Sequence, residues 1–179
     1  MSHFNACVLV TRNGSSPEQM ADKASEMLAG FDINLEMKPY KTYVGADEIQ
    51  RMANHFGIDP TNLSALAEKF EDWNGDKGGV DEKGFYGVST KNPGGHIDDW
   101  SVFTEVKPED HGRLLFGRGG EEKTVKAIVT SDGKWIDGPW VYGAPNAEQV
   151  KELEAWDNKL TTLLDEHKDS AAFLADCHI

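Results

Sequence analysis

The chain is organised around a segment rich in glycine and carboxylates, residues 72–82, which reads DWNGDKGGVDE. A helical pattern precedes this segment in residues 59–70, and a strand pattern follows it in residues 85–90. A second polar segment comes next, NPGGHIDDW, residues 92–100. Glycines, carboxylates and tryptophans alternate in both segments more densely than packing alone requires, so both are candidates for a functional surface.

The composition indicates a folded globular domain with no membrane-spanning segment. A length of 179 residues suits one domain, and a hydrophobic share of 39% is enough to build a core. No apolar run approaches the roughly 18 residues of a membrane span, and the N-terminus lacks a signal-peptide pattern. Two cysteines do not suggest a secreted disulfide scaffold. We therefore expect a cytoplasmic protein that does not bind membranes.

The charge is strongly negative and restricts the class of partner. Asp and Glu number 31 against 18 Lys and Arg, which gives a net charge of −13. Such a field repels DNA and RNA, so direct nucleic-acid binding is not expected. The field instead favours solubility, a protein partner with a basic surface, or cations. Two interpretations stay open: an acidic surface that is merely solvated, or one that imitates a phosphate backbone.

The order of the elements predicts the fold class. Strand patterns occupy residues 4–11, 85–90, 100–106, 113–116, 125–130, 135–142 and 171–179. Helices are predicted from the cap Ser16 to Gly30, over residues 46–56, from the cap Asp59 to residue 70, and from the cap Asn146 onward. These patterns predict a single α+β domain, residues 1–179, with a mostly antiparallel sheet and about four helices packed on one side of it.

The two polar segments supply the candidate binding residues. The tryptophans that bracket the glycines are interpreted either as core residues or as exposed anchors of a protein interface. The candidate contacts are Asp72, Trp73, Asp76, Asp81, Glu82, Asp98, Asp99 and Trp100.

Outside the two polar segments, Asp132 and Gly133 predict a hairpin turn between two strands.

The sequence contains partial matches to several chemical sites, and none of these sites is expected to form. Asp72, Asn74 and Asp76 match the first ligands of an EF-hand calcium loop, but Lys77 replaces the required glycine and Lys83 replaces the bidentate glutamate. We therefore predict no metal and no cofactor.

A zinc site or a cysteine nucleophile at the two ends of the chain is the second possibility. His3, Cys7, Cys177 and His178 converge if the first and last strands are neighbours. Neighbouring residues on a strand point to opposite faces, however, so Cys177 and His178 do not readily meet. No catalytic residue is predicted, because no oxyanion loop accompanies the thiol. Residues 117–120, GRGG, are not a P-loop because no Gly-Lys-Ser/Thr follows.

Several segments resemble a family of uncharacterised proteins from tailed bacteriophages. The likeness spans nearly the whole chain, and the Trp-Asn-Gly to Gly-Gly-Val-Asp run and the C-terminus carry most of it. The matching segments are His3-Phe4, LEMKPYKTY (35–43), EIQRMANHFG (48–57), LAEKFEDWNGDKGGVDEKGFY (66–86), STKNP (89–93), DGKW (132–135), GPWVYG (138–143) and DCHI (176–179).

The chain departs from the family pattern after the Asn-Pro turn. Family members usually continue with Trp-Asp-Trp-Tyr and then Gly-Gly-Arg-Trp, whereas this chain has HIDDW at residues 96–100 and keeps only Gly112-Arg113 of the second motif. The resemblance implies a phage accessory protein but carries no catalytic role.

Charge and resemblance together give a leading hypothesis. It is an anti-defence protein, such as an anti-CRISPR inhibitor, that occupies the nucleic-acid-binding surface of a host protein. One alternative is a small ligand- or metal-binding protein, or an enzyme, that uses the glycine-rich segment and the terminal Asp-Cys-His. The other is a virion assembly protein.

Overall fold

The computed structural model describes residues 3–114, 125–141 and 144–179. It has helices and two mostly antiparallel sheets, so the predicted α+β class is confirmed. The chain divides into two compact units, which are described separately: unit 1 is Met1–Leu35 with Pro93–Ile179, and unit 2 is residues 36–92. The expectation of a single domain stays a prediction.

The described ranges contain strands, α-helices and one 3₁₀ helix. The strands are β1 (His3–Thr11), β2 (Tyr40–Tyr43), β3 (Lys77–Asp81), β4 (Gly84–Ser89), β5 (Asp99–Val106), β6 (Val125–Val129), β7 (Trp135–Asp137) and β8 (Ser170–His178). The helices are α1 (Pro17–Ala29), α2 (Ala46–Phe56), α3 (Leu63–Glu68), α4 (Phe70–Asn74) and α5 (Ala147–Glu166), and the 3₁₀ helix is Pro108–Leu114. No helix in these ranges combines the length and apolar character that a membrane span requires.

Unit 1 is a five-stranded sheet with a helix on each face. Its strand order is β5-β8-β1-β6-β7, with β1 parallel to β6 and all other pairs antiparallel. Phe4 and Val8 on β1 share a core with α1, whereas Cys7 and Leu9 share a second core with α5. The expectation of helices on one side is therefore wrong for this sheet. Residues 6–10 are all buried, which is typical of a strand covered on both faces.

The two long helices of unit 1 begin where the sequence predicts. Ser16 Oγ accepts a hydrogen bond from the backbone N–H of Gln19, and the Gln19 side chain accepts one from the Ser16 backbone. Asn146 and Gln149 form the same capping box at the start of α5. A capping box satisfies backbone donors locally, which is why residue identity alone locates these starts.

Unit 2 is a three-stranded antiparallel sheet, in the order β2-β4-β3, with α2, α3 and α4 supplying its core. Gly78 and Gly79 belong to β3 and not to a loop, which corrects the sequence interpretation. A Cβ on Gly78 would lie 2.4 Å from the Ala67 carbonyl oxygen, so only glycine lets α3 approach the strand this closely. Phe70 contacts Gly87 on β4 in the same way.

Three further boundaries differ from the sequence prediction. Asn62, and not Asp59, caps α3; Asp59 instead accepts hydrogen bonds from the backbone and hydroxyl of Thr61. The predicted helix to residue 70 is divided into α3 and α4 at Lys69. The strand predicted at residues 113–116 begins inside the 3₁₀ helix, and its last two residues lie outside the described ranges, as do residues 117–120.

The hairpin between β6 and β7 is confirmed, with Gly133 at φ +81° in the turn. Strand β7 is shorter than predicted and ends at Asp137. A Cβ on Gly138 would lie 2.6 Å from the Trp156 ring of α5. The chain therefore needs a glycine directly after β7 in order to pass this indole.

Candidate functional site

Five of the eight candidate binding residues lie in unit 2, around the end of α4 and the β3–β4 hairpin. Asp72 and Trp73 are on α4, Asp76 links α4 to β3, Asp81 ends β3, and Glu82 lies in the following turn. Helix α4 and strand β3 bring these residues into one region. Gly75, at φ +85°, ends α4 and allows the chain to reverse direction before β3.

Asp81 is neutralised within unit 2. Its carboxylate accepts a hydrogen bond from Lys41 Nζ at 2.6 Å, one from the Tyr43 hydroxyl at 3.0 Å and one from the Lys83 backbone N–H at 3.0 Å. The Lys41 ammonium and these further donors hold the pKa of the Asp81 carboxyl below its ordinary value. The pKa of Lys41 is raised in return, chiefly by its hydrogen bond to Asp81. Asp81 thus mainly links β3 to β2 through its hydrogen bonds with Lys41 and Tyr43.

Both candidate tryptophans are half-buried and use their indole N–H groups inside their own unit. Trp73 packs against Phe56, with ring centroids 6.0 Å apart, and donates a hydrogen bond to the Glu48 carboxylate. Trp100 donates to Ser25 Oγ at 3.0 Å and packs on the core shared with α1. Trp140 is more exposed, at 38%. A role for Trp73 and Trp100 as interface anchors stays a prediction.

The remaining candidates lie in unit 1, where two histidines join them. Asp98 Oδ1 lies 2.5 Å from Nδ1 of His178, and the exposed Asp99 is opposite His178 in the register of β5 and β8. His3 lies opposite His178 on β1, with ring centroids 4.9 Å apart, and its Nδ1 is 3.3 Å from Asp176. Sequence reasoning anticipated the meeting of the terminal strands but not this cluster of alternating acids and imidazoles.

The two thiols do not join the cluster. Cys7 lies in the core under α5 and Cys177 in the core under α1, on opposite faces of the sheet. Burial raises the pKa of each thiol to about 12. Cys177 also points away from His178, as strand alternation predicts. In the described ranges no three His, Cys, Asp or Glu side chains are placed to hold a metal ion.

One concave site in unit 2 includes a candidate residue. Asp76 and Asn74 line a cavity of about 320 Å³, together with residues of β2, β4 and the start of α2. A second cavity, of about 240 Å³, lies in unit 1 between the end of β1 and one side of α1, and Ser131 lines it. Ser131 Oγ is 3.0 Å from Nδ1 of His167, which ties the β6–β7 turn to the end of α5.

The surface of α5 is a further acidic region that sequence reasoning did not single out. The helix carries six carboxylates and two lysines. Its buried stripe, which includes Leu153, Trp156 and Leu160, faces the sheet, so the charged residues lie on the remaining surface. No Asp or Glu in the described ranges is fully buried. The exposed carboxylates of α5 are Glu148, Glu152, Glu154, Asp165 and Glu166.

Comparison with protein-family models, curated proteins and solved structures finds no match to this chain. The resemblance to phage proteins therefore stays a prediction.

Proposed function

We propose that this chain is a phage accessory protein that binds a host protein and occupies its basic, nucleic-acid-binding surface. The observation that carries the proposal is the acidic exterior: a net charge of −13 whose described carboxylates all lie at least partly in solvent. A surface of this sign attracts a basic surface and speeds its association. An anti-CRISPR or other anti-defence inhibitor is the biological role that fits this chemistry.

Helix α5 is the longest continuous acidic element available to a partner. Its 20 residues extend for about 30 Å along the helix axis. Duplex DNA carries about 18 phosphate charges over that length. Six carboxylates less two lysines leave only about a quarter of that charge on α5. The charge density of α5 alone is therefore well below that of a duplex. The partner must also contact other carboxylates or make uncharged contacts.

The candidate carboxylates differ in what they offer a partner. Asp81 and Asp98 already have partners within the protein, Lys41 and His178 respectively. These two carboxylates are therefore less available to a binding partner. Asp72 forms an exposed ion pair with Lys69, which is weak and easily exchanged. No described basic side chain pairs with the remaining three, which are the better candidate contacts: Asp76, Glu82 and Asp99.

The proposal is tested by capture followed by a competition assay. The full chain is immobilised, a host lysate is passed over it at low salt, and the retained protein is identified and purified. Duplex binding by that protein is then measured with and without the acidic chain. We expect the acidic chain to displace the duplex, because both ligands require the same basic surface. A captured protein that binds duplex equally well with the acidic chain attached would refute the proposal.

Salt and matched variants test the electrostatic mechanism. A protein that contacts 6–10 phosphates loses about 10³–10⁵ in affinity between 50 and 200 mM salt. A contact made through the four net charges of α5 should lose at most about 10².

Neutralising three carboxylates of α5 (Glu148→Gln, Glu152→Gln, Glu154→Gln) should weaken capture more than neutralising three on α1. The matched α1 variant is Glu18→Gln, Asp22→Asn, Glu26→Gln. Equal loss in both variants would show that only overall charge matters.

The two alternatives have their own tests. A virion assembly role predicts that the chain is found in purified particles. An enzyme that uses the terminal Asp-Cys-His predicts loss of activity in Cys177→Ala, yet this thiol is buried with a pKa of about 12. A thiol in that state supplies almost no nucleophilic thiolate near neutral pH, which argues against a nucleophilic role for Cys177.

A further inference from the structure

The cavity of unit 2, here called the Asp76 pocket, has the size and the chemistry of a site for one cationic side chain. Its volume of about 320 Å³ is near the lower end of the roughly 300–1,000 Å³ typical of small-molecule sites. It lies between strands β2 and β4 and the facing ends of α2 and α4. The lining residues that matter here are Tyr40, Glu48, Phe70, Asn74 and Asp76.

The apolar parts of the pocket are held in place before any ligand arrives. The Phe70 ring lies against the backbone of Gly87, where a Cβ would be 2.2 Å from it. The Tyr40 hydroxyl donates a hydrogen bond to the Lys91 carbonyl at 2.9 Å, so the Tyr40 ring is fixed at its outer end, which lowers the entropic cost of using it as a wall. Tyr43 is opposite Tyr86 in the register of β2 and β4 and donates to Asp81, so its ring lies on the other face of the sheet and is not a wall of the pocket.

The pocket carries negative charge that the protein does not neutralise. Asp76 is half-buried, and no described residue donates a hydrogen bond or an ion pair to its carboxylate. Its backbone N–H donates a 2.9 Å hydrogen bond to Asn74 Oδ1. The second carboxylate of the pocket, Glu48, already accepts a hydrogen bond from Trp73 and pairs with Arg51, so the unneutralised charge is that of Asp76. No Lys, Arg or His is among the described residues that line the pocket.

A carboxylate together with a fixed aromatic ring, here Asp76 and Tyr40, is the combination that binds a guanidinium group. Its planar face stacks on Tyr or Phe, and its N–H fork pairs with a carboxylate in two parallel hydrogen bonds. We propose that the Asp76 pocket binds the guanidinium of one arginine that the partner presents on its basic surface. This inference rests on the proposed function, because a basic nucleic-acid-binding surface is where such an arginine is found.

The pocket is tested without the partner, by titrating the ¹⁵N-labelled full chain with Nα-acetyl-arginine methylamide. This probe reproduces an arginine within a chain. Saturable shifts are expected at the backbone amides of residues 43–48 and 74–76, with a dissociation constant on the order of millimolar for so few contacting atoms. The matching citrulline amide has the same shape without the charge and should give no saturable shift. An equal response to citrulline, or arginine shifts spread evenly over the surface carboxylates, would overturn the inference.

Two variants of equal charge locate the interaction. Asp76→Asn should raise the dissociation constant of the arginine probe about tenfold, since it removes a charge-assisted hydrogen bond. Asp72→Asn makes the same charge change on the exposed side of α4 and should leave the constant unchanged. The amide spectra of both variants report whether the fold is retained. Identical binding by the two variants would overturn the assignment to Asp76.

The outcomes for this inference and for the proposed function are separable. If the arginine probe does not bind, the pocket inference fails, whereas capture and duplex displacement are unaffected. If the captured protein keeps its duplex, the proposed function fails, whereas a positive titration still stands. Full capture of the partner by Asp76→Asn would overturn the use of the pocket in that complex.

Discussion

Replacing Gly78 with alanine tests whether the glycine-rich segment is a strand under a helix or a free loop. A Cβ at this position would lie 2.4 Å from the Ala67 carbonyl oxygen and 2.7 Å from Cβ of Phe70. The nearest obstacle is backbone, which cannot rotate away as a side chain would. The helix or the strand must therefore shift when Gly78→Ala is made.

The two interpretations predict opposite signs for the change in the free energy of unfolding. Overpacking of this kind lowers the free energy of unfolding by about 1–3 kcal/mol. Replacing a strand glycine with alanine raises it by about 0.5–1 kcal/mol, because alanine loses less backbone entropy on folding. We expect a net loss of about 1–2 kcal/mol. In a free loop the same substitution would stabilise the chain by about 0.4–1 kcal/mol through the unfolded state.

Urea unfolding followed by circular dichroism measures this change. With a slope of about 2 kcal/mol per molar, the middle of the usual range, the midpoint should fall by roughly 0.5–1 M. Hydrogen exchange over residues 63–90 locates the loss in unit 2. Gly45→Ala is the control, because nothing lies within 4 Å of its added Cβ, and its effect should stay below about 1 kcal/mol. An unchanged or raised midpoint for Gly78→Ala would refute the packing argument.

Three further predictions concern single groups. In the native protein, Cys7 and Cys177 should resist alkylation at pH 8 and react rapidly once unfolded, because burial raises their pKa to about 12; rapid native labelling would contradict this. Because the pKa of Asp81 is lowered in the folded state, its contribution to stability is present above its ordinary pKa of 3.8 and is lost as the pH falls through the lowered folded value. The free energies of unfolding of Asp81→Asn and the native chain should therefore converge in that acid range. A difference that stays constant as the pH falls would show that the ion pair with Lys41 does not cause it. Trp156→Phe should cost about 2 kcal/mol in the free energy of unfolding, because it removes a buried 2.8 Å hydrogen bond from the indole to a backbone carbonyl and leaves space behind.

The candidate site could be located by sequence only as a region. The alternation of acids, glycines and tryptophans in residues 72–82 marked the part of unit 2 that contains Asp76 and one end of the Asp76 pocket. It did not separate Asp81, which Lys41 neutralises from 40 positions away, from Asp76, whose carboxylate lines a pocket. The pairing partner of a charge depends on strand register, and register depends on which strands meet. The acidic surface of α5 was overlooked because its charges are spaced among core residues and form no compact motif.

Local chemistry, readable from the residues in order, fixed the starts of α1 and α5, the β6–β7 hairpin and the α+β class. A cap such as Ser16 with Gln19 bonds atoms only three positions apart, so no distant segment is needed to decide it. The tertiary structure alone decided that helices cover both faces of the five-stranded sheet. It also decided that Gly78 lies in a strand beneath α3, and that Asp98 meets His178 across 80 positions. Each of these depends on the close approach of segments far apart in the chain, and short-range periodicity does not encode such distances.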